Sequence, residues 1–362
     1  MGPDAYTSTE HFAREQRRIF RRLWLFVGLK SMVARPSAYY ARRLAGVPVL
    51  LQNNGGVVAC FLNACAHRGA MLQAEGFGVR PPVCGYHGWR YAGDGAVDRI
   101  PSEERDYRFS PDERACLRLR RFALVEVGQF LFVNFSDSPV AIEEQFTPEV
   151  LADLRGMSEY FDSDIAEYTV TSKFNWKLPG ENLRDPLHPQ FVHPRSLYPV
   201  FDFFDRGDAT HGVGDSPDLA AVSFGGMEGR PKRDLRWPYW DQLERWPGAV
   251  EGYHNWLLFP NLHIASPDGC RTFGIEQYDP VDPGTTRLFH YMFTSRRRTP
   301  IPHGHAVLRG MVRSARVILD EDAKIMEMVQ AATVEGAPPV RHGSYERDIE
   351  RLNAVYREVM DG

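Results

Sequence analysis

Two short loops constrain this chain more than anything else in it: Cys65-Ala66-His67 and Cys84-Gly85-Tyr86-His87, with sixteen residues between them. A fold that uses both must bring two loops side by side, each offering one thiol and one imidazole. Four such donors suit either tetrahedral zinc or an iron–sulfur cluster. Structural zinc sites usually draw like ligands from one turn, as CxxC or HxxxH pairs. Here each loop carries one cysteine and one histidine, which suits a cluster with two cysteines on one iron and two histidines on the other, each loop spanning both irons. Gly69, Gly85 and Gly88 fit loops that pass close to a cluster and turn amide donors toward its sulfurs. Trp89 and Tyr91 follow at once and are expected to shield it from water. Any one of the four, taken alone, reads as an ordinary core cysteine or histidine; the four together at this spacing do not.

The rest of the composition narrows the setting. A chain of 362 residues is long enough for roughly two domains, each with its own core. The formal net charge is −4, and the 25% of residues that are charged intersperse both signs, so neither nucleic acid nor a membrane surface is an expected partner. The first residues hold no apolar run of signal-peptide or membrane-span length, and Tyr6 stands where a myristoylation signal needs Ser or Thr; a cytoplasmic protein is expected. Cys60, Cys65, Cys84, Cys116 and Cys270 are odd in number and widely spread, unlike a disulfide framework.

Residues 9 to 29 place Phe12, Ile19, Phe20, Leu23, Trp24 and Phe26 at roughly helical spacing among arginines, which predicts an amphipathic helix. From about residue 44 to 136 the texture changes to short β-type runs such as "GVPVLLQ", "GVVACFLN" and "RFALVEVGQFLFVNFS", separated by Asn-Gly, Gly-Asp-Gly and Val-Gly-Gln turn signals. A Pro- and Glu-containing segment leads into a mixed region through residue 294, and residues 303 to 331 return to a helical pattern. The plan read from this is an α+β catalytic domain with a β module inserted near its start. Its parts are an N-terminal helical piece of the catalytic domain (1–38), the cluster-bearing domain (39–155) and the catalytic domain proper (156–362).

A cluster passes single electrons, so a second site should use them. The segment "NWKLPGENLRDPLHPQFVHP", residues 175 to 194, holds His188 and His193, five apart, which a regular helix would separate by about 140°. Pro189 directly follows His188 and disfavours helix there, so a broken helix is expected rather than a zinc-binding HExxH helix. Two histidines need a carboxylate to complete a facial triad that holds Fe(II) with positions left open. On the helix "RSARVILDEDAKIMEMVQ", Met311, Ala315, Ile318, Asp322, Ile325, Met326 and Val329 share one apolar face, whereas Asp320 points to the opposite side beside Lys324. Asp322 is thus the acid directed into the core, and a buried carboxylate needs a partner such as a metal. Taken alone, Asp322 reads more readily as a helix acid paired with an arginine.

"CAHRGA" with "CGYHGWRY" resembles the Rieske [2Fe–2S] motif of the terminal oxygenases of ring-hydroxylating and related Rieske non-haem iron systems. The respiratory Rieske proteins normally add a disulfide-forming cysteine to each loop; Ala70 and Tyr86 stand at those positions here. "ENLRDPLHPQFVH" and "EDAKIMEMVQ" are similar to the oxygenase segments carrying the iron ligands, and the likeness runs from "FAREQRRIFRRLWLFVG" to "YERDIERLNAVYREVM", essentially the whole chain. Pro186 and Pro189 flanking the first histidine, and Leu187 where an aromatic is common, are local departures that bear on helix geometry. The resemblance implies an antiparallel β-sandwich Rieske domain inserted in a catalytic domain whose central antiparallel sheet is covered by helices, of helix-grip type. It implies a [2Fe–2S] cluster on Cys65, His67, Cys84 and His87, a mononuclear Fe(II) on His188, His193 and Asp322, and Asn182 close to that iron. It also implies that Asp185, otherwise a helix cap or turn acid, hydrogen-bonds His188 and reaches His87 of a neighbouring subunit in a head-to-tail homotrimer. The implied partners are a reductase, with or without a ferredoxin, that delivers NAD(P)H electrons; O₂ is the co-substrate and a small organic molecule, aromatic or heteroaromatic, the substrate. Compact members are often monooxygenases, so monooxygenation is the favoured outcome and ring cis-dihydroxylation the alternative. A Rieske electron carrier without oxygenase activity is the reading from another class, and residues 156–362 with a complete triad argue against it.

Aromatics after the histidine pair, in "FDFF" (201–204), "RWPYWDQLERW" (236–246) and "YHNWLLFPNLHI" (253–264), are candidates for a substrate pocket as well as for core. Trp256, Phe259 and Asn261 are the residues expected to face substrate.

Overall fold

Residues Leu25–Leu29, expected to close a helix, form a strand instead. All five are buried, and the run pairs antiparallel with Phe130–Asn134, from Leu25 opposite Val133 to Leu29 opposite Phe130. Burial on both faces overrides the helical spacing of the preceding arginine-rich segment, which is helical over Thr9–Glu15 with a π turn at Gln16–Phe20. The computed structural model describes residues 1–202, 223–232, 240–249, 252–300, 304–338 and 340–362. The chain forms two units, Arg22–Pro139 and, interrupted by it, Met1–Arg21 with Val140–Gly362.

The β unit is built from β1 (Leu25–Leu29), β2 (Ala38–Leu44), β3 (Val47–Asn54), β4 (Val57–Leu62), β5 (Gly76–Val79), β6 (Arg90–Tyr91), β7 (Val97–Arg99), β8 (Arg121–Val127) and β9 (Phe130–Asn134). Seven of these make an antiparallel sheet in the order β1-β9-β8-β4-β3-β2-β5, while β6 and β7 form a separate ribbon. Tyr91 and Val97 of the ribbon share one core with Ala41, Leu50 and Phe61 of the sheet. That core also contains Cys65, Cys84 and Trp89, so the two loops are anchored by hydrophobic packing.

After a single helical turn at Asp4–Thr7, the second unit has α1 (Thr9–Glu15) and α2 (Pro148–Ser158), whose first turn is capped by Thr147 Oγ1 accepting from Val150 N. Then come β10 (Ala166–Ser172), α3 (Leu178–Asn182), α4 (His188–Val192), β11 (Phe201–Asp202), β12 (Ser223–Pro231), β13 (Tyr253–Leu258), β14 (Leu262–Ser266), β15 (Thr272–Asp282), β16 (Thr285–Thr294), α5 (Gly304–Val334) and α6 (Arg347–Asp361). The seven strands lie in the order β10-β16-β15-β14-β13-β12-β11, all antiparallel, and α5 packs against β10 and β16. Alternation divides the sheet into two faces. Ile264, Phe273, Ile275, Tyr291 and Phe293 share an apolar face, and His263, Gly274, Glu276 and His290 stand on the other.

Two boundaries differ from the sequence expectation. Residues 22–38 belong with the β unit because β1 needs β9 as its partner. Residues 140–155 belong with the larger unit: α2 buries Val150, Leu151 and Leu154 there, and its Asp153 accepts from Trp256 Nε1. On α5 the buried positions are Leu308, Asp322, Met326 and Gln330, whereas Ile325 and Val329 are 38% and 44% exposed. The covered stripe is rotated toward Asp322 because Gln330 is held inside by Asn175 N and the Tyr6 carbonyl. Among the described residues no helix is long and apolar enough to cross a membrane.

Candidate metal centres

The two Cys/His loops of the β unit have the same internal geometry. Cys65 N donates to Ala70 O and Gly69 N to Cys65 O; Cys84 N donates to Trp89 O and Gly88 N to Cys84 O, all between 2.8 and 3.0 Å. Gly69 and Gly88 hold φ of 73° and 72°, the left-handed region that closes each turn and favours glycine. Both thiols are buried and in mutual contact, and burial pushes Cys65 above the ordinary thiol range. The His67 and His87 rings, both partly exposed, lie 4.6 Å apart between centroids. His67 Nδ1 is buried with no hydrogen-bond partner, an orphan that a metal would satisfy. Trp89 stacks on His67 at 4.7 Å and 7°. The Tyr91 hydroxyl accepts from Ala66 N and lies 2.9 Å from Cys65 Sγ, so it touches the site rather than merely covering it. Two inner thiols and two rim imidazoles fit a cluster with unlike ligands on its two irons. All five cysteines are free thiols.

In the other unit, α3 and α4 are short helices broken around Pro186, as the prolines predict. α3 ends at Asn182, and α4 begins at His188 and is closed by His193; the ligand atoms of His188, His193 and Asp322 of α5 all lie within 4.8 Å of one another. Asp322 Oδ1 is 2.9 Å from His193 Nε2 and 3.6 Å from His188 Nε2, and it accepts from Asn182 Nδ2 at 2.9 Å. The Nδ1 atoms are committed elsewhere: His188 Nδ1–H donates to the Asp185 carbonyl at 2.6 Å and His193 Nδ1–H to Glu321 Oε2 at 2.8 Å. Both Nε2 lone pairs therefore face the gap, and His193 Nε2 is a buried atom without a hydrogen-bond partner. Burial alone would lower His193, but Asp322 and Glu321 outweigh it and the imidazole sits above its ordinary value; for His188 burial prevails and the value falls. Two neutral-capable imidazoles and one carboxylate, converging from α4 and α5, fit a divalent iron with open positions.

Residues 161–362 match the family described as ring hydroxylating alpha subunit (catalytic domain), and residues 23–123 match the Rieske [2Fe-2S] domain. The chain belongs to the ring hydroxylating alpha subunit family. Among its relatives, the glycine betaine monooxygenase oxygenase subunit of Chromohalobacter salexigens is 30% identical over 209 residues, which is 56% of this chain and 45% of that protein. The large oxygenase component of the naphthalene 1,2-dioxygenase system of Pseudomonas aeruginosa is 29% identical over 203 residues, 52% of this chain and 43% of that one. The chain thus spans about half the length of the relatives it matches by sequence. By fold it is similar to a quaternary ammonium Rieske monooxygenase studied for carnitine oxidation and inter-subunit electron transfer, with a TM-score of 0.75 at 20% identity over 99% of this chain and 93% of that one.

Other expected site residues of this alpha subunit are placed as follows. Asp185 Oδ1 accepts from the Leu187 and His188 amides, so its carboxylate caps the turn into α4, and it meets the His188 ring through its carbonyl rather than its side chain. Trp256 does not face the cluster of donors: it lies on the opposite face of the sheet, stacked on His254 and bonded to Asp153, because it is one residue out of phase with Leu257 and Asn255. Phe259 and Asn261 line a narrow pocket shared with Lys177, Tyr278, Asn353 and Tyr356. Phe203, Phe204 and residues 236–239 lie outside the described residues. Missed by the sequence reading were Glu321 with Ser196, whose hydroxyl donates to Glu321 at 2.5 Å, and the Tyr91 hydroxyl. The run Asp320-Glu321-Asp322 held the signal for Glu321, since adjacent acids on a helix point to different neighbours.

Proposed function

We propose that this chain is the terminal oxygenase component of a Rieske-type system that oxygenates a small organic substrate, with monooxygenation as the outcome. The observation that carries the reading is the presence in one chain of a Cys₂His₂ loop pair and a His₂Asp cluster, each with one orphaned, buried ligand nitrogen, His67 Nδ1 and His193 Nε2. Cys65, Cys84, His67 and His87 would hold the [2Fe–2S] cluster, and His188, His193 and Asp322 the iron. When bound, these groups supply single-electron transfer and O₂ activation.

The chain's own residues prepare that chemistry. Glu321 and the Asp185 carbonyl fix the tautomers of His193 and His188, and Asn182 holds Asp322 Oδ1 toward the histidines. Trp89 and Tyr91 keep water from the inner thiols. Asp185 is the bridging residue to His87 of a neighbouring subunit in a homotrimer, a role supported by its place three residues before the first histidine and by the fold relative's link to inter-subunit electron transfer. NAD(P)H electrons arrive through a reductase or ferredoxin in the cytoplasm. The glycine betaine relative supports monooxygenation; the naphthalene relatives favour ring dihydroxylation as the second reading.

Reconstitution with a reductase, NADH and ¹⁸O₂ tests this. One labelled oxygen in the product supports monooxygenation, two support dihydroxylation, and no substrate-dependent O₂ uptake contradicts the oxygenase reading. Asp185→Asn is expected to keep both metal centres and slow uptake; undiminished uptake refutes the bridge.

A further inference from the structure

One face of the catalytic sheet carries a polar row that neither donor set uses. His263, Glu276 and His290 stand in register on β14, β15 and β16, and all three are buried. Glu276 accepts from His263 Nδ1 at 2.9 Å and from the Tyr278 hydroxyl at 2.6 Å, while His290 Nδ1 lies 2.7 Å from the Tyr168 hydroxyl. The remote ring nitrogens are left over. His263 Nε2 and His290 Nε2 are both buried without a hydrogen-bond partner, and His290 Nε2 stops 4.0 Å from Glu276 Oε1, beyond bonding distance.

The next row on the same face is Asn255, Ala265 and Gly274. Asn255 gives Nδ2 to the Tyr253 hydroxyl at 3.2 Å and leaves Oδ1 buried and unpartnered. Ala265 and Gly274 are the smallest residues of the row, and a Cβ at Gly274 would come to 3.0 Å from His290 Nε2, whose ring lies over it. The patch lies within electrostatic reach of the candidate iron ligands. Burial first, then the charges of Glu276 and Asp322, raise the Tyr278 phenol well above its ordinary value and the Tyr253 phenol to about 12.

Buried polar atoms are almost always bonded, so three orphans on one face of the sheet call for a partner. The chemistry of that occupant follows from what is unpaired. Asn255 Oδ1 and the Glu276 carboxylate are acceptors, and His263, with its Nδ1–H given to Glu276, presents a lone pair at Nε2. A slot for hydrocarbon or a cage for a quaternary ammonium would instead turn apolar surface or ring faces to its ligand.

We infer that the His263–Glu276–His290 row with Asn255 is the substrate-recognising wall of the site, and that the substrate presents to it a nitrogen group bearing N–H donors, either an ammonium or an amide. The inference rests on the oxygenase reading above and adds the substrate class. Calorimetric titration of the anaerobic holoprotein with benzylammonium, benzamide, benzyltrimethylammonium and toluene tests it. One of the first two should bind about tenfold more tightly than both donor-free compounds. Glu276→Gln, and Gly274→Ala through its new Cβ, should each abolish that preference while leaving iron content and visible spectrum unchanged. Equal or tighter binding of the donor-free compounds, no binding of any in the millimolar range, wild-type affinity in both variants, or loss of iron from both would overturn the inference. A wild-type chain without mononuclear iron contradicts the oxygenase reading instead, whereas a full iron complement without donor preference contradicts only this one.

Discussion

Tyr91 ends β6, yet its hydroxyl reaches back to Cys65 Sγ at 2.9 Å. An O–H donor stabilises a sulfur more as its negative charge grows, so it favours the reduced state of a cluster bound there. Tyr91→Phe is therefore expected to lower the cluster potential by about 60 mV, the one-electron equivalent of losing one hydrogen bond to a charged group. An EPR-monitored redox titration checks this, and an unchanged potential would refute it. Glu321 acts on the other centre in a comparable way, by accepting from His193 Nδ1 and from Ser196. Glu321→Ala should weaken iron binding about 10–100-fold in competition with a chelator, with partial recovery in Glu321→Gln and no change in the cluster spectrum. The ligand sets themselves were legible in the sequence, because each Cys/His pair and the His188/His193 pair sit on single short segments. Tyr91 and Glu321 were not legible as contacts, since what decides them is where a neighbouring segment lies in space.

At the scale of elements, α1 is held by a buried ion pair. Lys177 Nζ lies 2.6 Å from Glu15 Oε1, with side chains 4% and 1% exposed, and Glu15 also accepts from Trp176 Nε1 at 3.0 Å and from the Tyr356 hydroxyl at 2.5 Å. Burial pulls Lys177 below its ordinary value and Glu15 pulls it back, so the ammonium depends on its partner. Removing one member of such a pair strands a charge in the core and typically costs about 3–5 kcal/mol. Glu15→Ala should lower the unfolding free energy of the larger unit by that order, measured by chemical denaturation; a loss under about 1 kcal/mol would show that the pair is dispensable. The periodicity of residues 9 to 29 announced a helix but not where it ends. Arg21 and Arg22 interrupt the apolar run, and the following Leu25–Leu29 is buried by strand pairing with β9, a partner more than a hundred residues away. On α5 the apolar stripe read from the sequence located Asp322 but included Ile325 and Val329, which stay exposed because the covered stripe is rotated toward Asp322 and Gln330.

At the scale of the whole molecule, a β unit interrupts an α+β unit along the chain, and the similar fold extends over 99% of this chain. The insertion was legible because β-type runs with turn glycines replace helical texture over a continuous stretch. Its edges were not, because strand β1 and helix α2 each belong to the unit their packing selects. The polar row of β14 to β16 was hidden for a related reason: alternation reveals a shared face only once strand register is known. The central claim is that two independent metal centres reside in this chain, and iron stoichiometry combined with the visible spectrum tests it most directly. The wild-type protein should carry about three irons per chain, His188→Ala about two with the Rieske spectrum intact, and Cys84→Ser about one with the spectrum lost. A wild-type protein with only two irons, or a His188→Ala variant that retains three, would contradict the account.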